Sequence, residues 1–339
     1  MILRTETVEQ TIDGDQSQTF LKEVLMTRGE HPLGMVRKRR PPPSPSRGPV
    51  ILIHGYAQNR YTWHNSKRSF VNYLADDGWD VFNVDLRGHG RSRRFGAPYP
   101  RTMDDYITED LPAFVGEALE LSGHEEVFLI GHSMGGLISY FGGATKLRHR
   151  IRGMCSIGSP YVFGEGSALL MGLRELAAVV RWTGLLDSNP AFPLKIVGRH
   201  LERRSSFWNT RLLPLPIRAW APDTVEPEVL EEYLSTTFDR STLRVALDIF
   251  RAGRGKGFKS ADGMIDYSTA FEILDRPLLV VAGTEDKLAP PASVRPAYER
   301  SRASDKTYRA FPYGHIDLIV GKEATTTVWP LVRNWLARR

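Results

Sequence analysis

From Pro49 onward, short and mostly apolar runs alternate with longer stretches whose apolar positions recur at helical spacing. That rhythm predicts an α/β protein, a mostly parallel sheet flanked by crossover helices. Val50-Ile51-Leu52-Ile53 is the first run and ends at His54-Gly55. Asp80 to Asp85, Val127 to Ile130, Met154 to Ile157, Leu278 to Ala282 and Thr307 to Phe311 follow, each closed by a turn containing Gly or Pro. Upstream, Glu6 to Thr11 and Phe20 to Leu25 flank Asp13-Gly14-Asp15 and predict a hairpin at the sheet edge. Asp104 to Leu121 carries Tyr106, Ile107, Leu111, Phe114, Val115, Ala118 and Leu119 at helical spacing. Pro112 lacks an N–H and suits only a first turn, so this helix is expected to begin near Glu109. Thr327 to Leu336 predicts a terminal helix packed on the sheet.

The interval from Pro160 to Pro277 breaks the rhythm. A crossover needs only about 30 residues, and the surplus is too long for a structureless loop. It predicts a mainly helical cap inserted over 161–268, dividing the core into 1–160 and 269–339.

Composition excludes several classes. With 339 residues, 41% hydrophobic and 25% charged, the chain is ordinary for a globular protein and needs no disulfide or metal to be stable. Its single cysteine, Cys155, reads as an inert buried side chain and permits neither an intramolecular disulfide nor a cysteine metal cluster. The net charge of +6 raises the question of nucleic acid. Much of it sits in Arg37-Lys38-Arg39-Arg40 ahead of Pro41-Pro42-Pro43, which reads as a solvated linker. No aromatic-interleaved basic platform supports nucleic-acid binding. The basic cap stretch from Arg181 to Arg218 also reads as a solvated face, with weak membrane-surface contact through it or Arg37 to Arg40 as the alternative. No basic n-region precedes an apolar h-region at the N-terminus. Ala168 to Val180, the most apolar stretch, is broken by Arg174 and Glu175 and falls short of the ~20 residues that span a bilayer. A cytoplasmic location is expected.

Gly131-His132-Ser133-Met134-Gly135 follows an apolar strand and precedes Leu137-Ile138-Ser139-Tyr140, the start of a helix. A serine on such a sharp turn needs neighbours without bulk two residues away, and Gly131 and Gly135 supply them. Ser133 is the candidate nucleophile, and its hydroxyl needs a base to take its proton. His315 follows the last predicted strand and is the candidate base. Glu285 and Asp286 follow the strand before it, and either could orient the imidazole. A developing oxyanion needs backbone donors. The Met134 N–H, directly after the nucleophile, and the Tyr56 N–H, after the first parallel strand, are the candidates. His132 is expected to pack or hydrogen-bond locally, and His54 to buttress the loop that carries Tyr56.

Taken together, His54-Gly55, Asp85-x-Arg87-Gly88-x-Gly90-x-Ser92, Gly131-His132-Ser133-Met134-Gly135-Gly136 and the Asp286/His315 pair resemble the α/β-hydrolase superfamily over roughly 48–160 and 269–339. The resemblance implies the α/β-hydrolase fold, with the acid a few residues past its strand, which selects Asp286 over Glu285. The segment from Gly314 to Gly321, with Trp329-Pro330 beyond, is similar to the tails of acid-lipase-like enzymes and polyhydroxyalkanoate synthases. Those synthases place cysteine where Ser133 stands, so the implied activity leans toward carboxylic ester hydrolysis without metal or cofactor. A dehalogenase or epoxide hydrolase would carry Asp at that position. The alternatives are an acyltransferase using the same triad and a ligand receptor on the same fold. Small-molecule or lipid esters are the expected substrates, with Phe207 and Trp208 of the cap touching them.

Overall fold

The computed structural model describes residues 1–182, 218–251 and 257–339, with 191, 192, 196, 198 and 202 between them. Its framework is set by strands whose two faces are both apolar. In β4 (Pro49–Ile53), Ile51 and Ile53 enter one core with Phe82, Leu129, Met154 and Val280. The intervening Val50 and Leu52 enter a second core with Val81, Phe128, Cys155 and Leu279. Side chains alternate across a strand, so a continuous apolar run is what a sheet covered on both sides requires.

Nine strands form the main sheet. They are β1 (Ile2–Asp13), β2 (Gln16–Met26), β3 (Gly34–Arg39), β4, β5 (Asp80–Asp85), β6 (Val127–His132), β7 (Ile151–Ile157), β10 (Leu278–Gly283) and β11 (Lys306–Phe311). A small antiparallel pair, β8 (Ala191–Phe192) and β9 (Ser241–Thr242), lies apart. The main sheet runs in the order β1-β2-β3-β5-β4-β6-β7-β10-β11. The pairings from β5 to β11 are parallel, and those joining β1, β2, β3 and β5 are antiparallel. All parallel strands therefore end at one edge, where the loops after β4, β6, β7, β10 and β11 gather.

The basic segment before the prolines is not a solvated linker. Gly34–Arg39 is β3, paired with β2 and β5, and both Arg37 and Lys38 are buried. The Arg37 guanidinium grips Asp80 with two hydrogen bonds of 2.8 and 2.6 Å and reaches Glu23 at 2.9 Å. Lys38 donates to Asn72 Oδ1 at 2.7 Å and to Gln10. Burial, with the like charge of Lys22 nearby, drives the Lys38 pKa well below that of a free lysine. These two residues are thus closed to a membrane surface, while Arg40 is exposed.

The helix expected near Glu109 begins earlier. A helical turn at Met103–Asp105 runs into a wider turn over Tyr106–Asp110 and then into a helix over Leu111–Ser122. The Leu111 N–H reaches back to the Tyr106 carbonyl, a five-residue step just ahead of Pro112, which has no N–H to give. The predicted apolar stretch forms the Ala168–Trp182 helix, against which the Leu243–Arg251 helix packs. Tyr161 and Tyr267, at the two ends of the long interval, both meet Phe141 with ring centroids 6.3 and 6.0 Å away. Phe141 lies on the Met134–Gly143 helix, so the chain leaves and returns over the helix behind Ser133. Among the described residues, no helix is long and apolar enough to cross a membrane.

Candidate active site

The β6-to-helix turn is tight enough to dictate its sequence. Ser133 has φ 53° and ψ −120°, a region that costs a non-glycine residue about 1–3 kcal/mol. Its N–H donates to the Ile157 carbonyl and its own carbonyl accepts from Gly136 N–H, both at 3.0 Å. A Cβ on Gly131 would strike the Gly135 backbone, one on Gly135 the Ile53 carbonyl, and one on Gly136 the Ser159 hydroxyl. The Met134–Gly143 helix starts immediately after the serine, which aims its N-terminal N–H groups and positive dipole end at the site.

His315 and Asp286 meet beyond the ends of β11 and β10. Asp286 Oδ2 lies 2.7 Å from His315 Nδ1. The other oxygen, Oδ1, accepts the Leu288 and Ala289 N–H groups, each at 2.8 Å. Both side chains are buried, whereas Glu285 is exposed. With a carboxylate oxygen as acceptor at Nδ1, a neutral imidazole carries its proton on Nδ1 and keeps the lone pair on Nε2. Gly158 lies against this pair. Its φ of +60° favours glycine, and a Cβ there would lie 3.2 Å from His315 Nδ1 and 3.4 Å from Asp286 Oδ2. No motif in the sequence marked that position.

The loop after β4 comes within contact of Ser133, since a Cβ on Gly55 would sit 3.2 Å from Ser133 Cβ. His54 sets the direction of that loop. Its Nε2 accepts the Leu86 N–H at 3.1 Å, so Nδ1 carries the proton and donates to the Gly55 carbonyl at 2.9 Å. Burial lowers the His54 pKa and keeps the ring neutral. In a trans peptide the N–H points opposite to the C=O, so the Tyr56 N–H is turned away from the His54 ring. Among the described residues, neither the Tyr56 nor the Met134 N–H donates a hydrogen bond. Gln58, which the sequence reading passed over, completes the loop. Its Oε1 accepts from Gly55 N–H at 3.0 Å and Thr62 Oγ1 at 3.1 Å, and its Nε2 donates to the Tyr233 hydroxyl at 2.9 Å.

The Asp85-x-Arg87-Gly88 motif shapes the loop and is not among the residues that line the cavity beside Ser133. The buried Asp85 carboxylate accepts Arg60 N–H, Arg60 Nη1 and Arg91 N–H, each at 2.8 Å. A Cβ on Gly90 would strike that carboxylate.

Ser133 and His315 open onto a cavity of about 330 Å³. Tyr56 and Gln58 line its polar end, and Phe163, Leu170, Leu173, Phe238, Ile249 and Phe250 are prominent in its apolar wall. Phe207, Trp208 and most of the basic stretch lie outside the described residues. Among the described residues, no group of His, Cys, Asp or Glu is arranged to hold a metal ion. Cys155 is buried as expected, and burial pushes its thiol pKa up.

Residues 48–322 match the sequence family described as alpha/beta hydrolase fold. The chain is 24% identical to the poly(3-hydroxyalkanoate) polymerase subunit PhaC of Haloferax mediterranei, over 86% of this chain but only 59% of that protein. It is 27% identical to a monoacylglycerol lipase of Mycolicibacterium smegmatis, over 85% of this chain and 90% of the relative. Among solved structures, a Paleococcus ferrophilus monoacylglycerol lipase superposes with a TM-score of 0.63 at 19% identity, covering 90% of this chain and 98% of its own.

Proposed function

The chain belongs to the α/β-hydrolase fold family, and from that premise we propose that it hydrolyses carboxylic esters of apolar acyl groups through an acyl-enzyme on Ser133. The observation that carries this reading is the union of three features at one cavity: a serine on a strained turn, a histidine held by a buried carboxylate, and an apolar wall. His315 Nε2 takes the Ser133 proton as Oγ attacks the ester carbonyl carbon. The imidazolium then returns the proton to the departing alcohol. Asp286 holds the imidazole in the required tautomer and stabilises its charged form. The Tyr56 and Met134 N–H groups receive the oxyanion. Water, activated by His315, attacks the acyl-enzyme and releases the acid. In this reading, residues 161–268 form a cap whose apolar side chains hold the acyl chain.

The similarity to polymerase subunits makes transfer of the acyl group to an alcohol the second reading, since the same acyl-enzyme serves both. A panel of p-nitrophenyl esters of graded acyl length tests the proposal. The expected result is turnover with a chain-length maximum, blocked by a fluorophosphonate that labels Ser133 and fails to label Ser133→Ala. Absence of turnover, or labelling elsewhere, overturns it. Added alcohol that diverts product from acid to new ester favours acyl transfer.

A further inference from the structure

Ser133 and His315 follow β6 and β11, which are separated in the sheet by β7 and β10. No ladder between neighbouring strands therefore fixes the spacing of nucleophile and base directly. The residue before the nucleophile bridges that gap. His132 is fully buried, its ring centroid is 4.5 Å from that of His315, and it stands edge-on to Trp63. Its Nε2 lies 3.2 Å from the His315 carbonyl oxygen and its Nδ1 lies 3.3 Å from Gln58 Oε1.

Both neighbours are acceptors, and a neutral ring has one proton to give. Gln58 Oε1 already accepts from Gly55 and Thr62, so its lone pairs are taken. Turning the amide over would strand the buried Gly55 N–H. The His315 carbonyl is the remaining claimant on the His132 proton. The N–H of the same peptide unit, that of Ile316, donates to the Ala219 carbonyl at 2.8 Å. One face of the His315–Ile316 peptide is thus held by Ala219, and the other is offered to His132.

We propose that His132 is a positioning residue: its Nε2–H holds the His315 carbonyl and so sets the reach of the His315 imidazole to Ser133. This rests on the triad reading above. His132 is not among the residues that line the cavity, and its effect on rate passes through His315. Losing that restraint displaces the base, and a misplacement near 1 Å costs up to about 10²-fold in rate.

The test uses three variants of the full chain. His132→Phe keeps a ring against Trp63 but has no donor. His132→Gln places an amide N–H about where Nε2 stands. His132→Asn places one only as far out as Nδ1. The expected order is wild type, then Gln within a few-fold, with Asn and Phe both well below it. The loss should fall on kcat, with KM nearly unchanged, and the rate of fluorophosphonate labelling at Ser133 should follow the same order. That labelling rate reads the serine–histidine couple without an ester substrate, so it still reports if the ester proposal fails. Equal rates for Phe, Asn and Gln at matched thermal stability would overturn the role, as would a loss confined to KM. Asn exceeding Gln would also overturn it, by placing the working contact at Nδ1.

Discussion

Replacing Asp286 by Asn alters one end of one side chain, and the surrounding hydrogen bonds dictate how the new group must sit. Oδ1 accepts the Leu288 and Ala289 N–H groups at 2.8 Å each, so the asparagine oxygen must take that place. Turned the other way, the amide would set its NH₂ against two N–H donors, the one of Ala289 buried, and a buried unpaired group costs about 1–3 kcal/mol. The NH₂ is therefore forced toward His315 Nδ1, where the carboxylate oxygen stood at 2.7 Å. It donates there, Nδ1 becomes the acceptor, and the ring proton moves to Nε2. The base then presents a proton to Ser133 where it needs a lone pair. The expected loss in kcat is about 10⁴-fold for an inverted tautomer, or ~5 kcal/mol of barrier. Steady-state kinetics on the best p-nitrophenyl ester, with thermal unfolding as a check on the fold, reads this directly. Exposed Glu285 changed to Gln is the control and should stay within a few-fold of wild type. Retention of more than a tenth of kcat in Asp286→Asn, or a larger loss in Glu285→Gln, would refute the reasoning.

Three further outcomes follow from other parts of the molecule. Arg37→Ala leaves Asp80 and Glu23 without their buried cation and should cost about 3–5 kcal/mol of stability in urea titration; a loss under ~1 kcal/mol would contradict that burial. Asp317 accepts the Ala221 and Gly314 N–H groups at 2.7 and 2.8 Å, and burial raises its pKa from 3.8 to about 6. The native state then holds a proton that the unfolded chain releases, so this group's stabilisation is full below pH ~4 and falls as pH rises through 6, by about 3 kcal/mol. Wild type and Asp317→Asn should differ by that slope between pH 4 and 7 in chemical denaturation, and parallel profiles would refute it. Leu173→Trp shortens the apolar cavity and should move the chain-length maximum of kcat/KM to shorter esters, each lost methylene contact costing about fourfold; an unmoved maximum would remove Leu173 from the acyl wall.

The features legible in the sequence were those that local geometry forces. The serine turn demands glycines at 131 and 135, and two-sided burial demands apolar residues at every position of β4. The basic segment misled because charge and proline content describe a chain segment, whereas burial depends on distant partners. Glu23 and Asp80, on neighbouring strands β2 and β5, make room for Arg37. Gly158, Gln58 and the bonding of His132 were not legible either. Each matters through residues that approach only when separate loops meet at the sheet's edge. The early start of the helix before Pro112 was hidden because a widened turn follows no simple period.

The cavity wall and the polar end of the site come from different stretches of chain, yet they are not cleanly separable. Tyr233 bonds Gln58, the Thr236 carbonyl and Asp239 carboxylate take the Asn59 amide, and the Thr242 carbonyl takes the Tyr56 hydroxyl. A chimera that transplants 161–268 as a block from another hydrolase would cut all four bonds beneath the Tyr56 loop. An enzyme engineer should therefore keep 233–242 with the host and diversify Phe163, Leu170, Leu173, Ile249 and Phe250. Under the ester proposal, such a library should retune which acyl chains fit while leaving the scaffold around Ser133 as inherited.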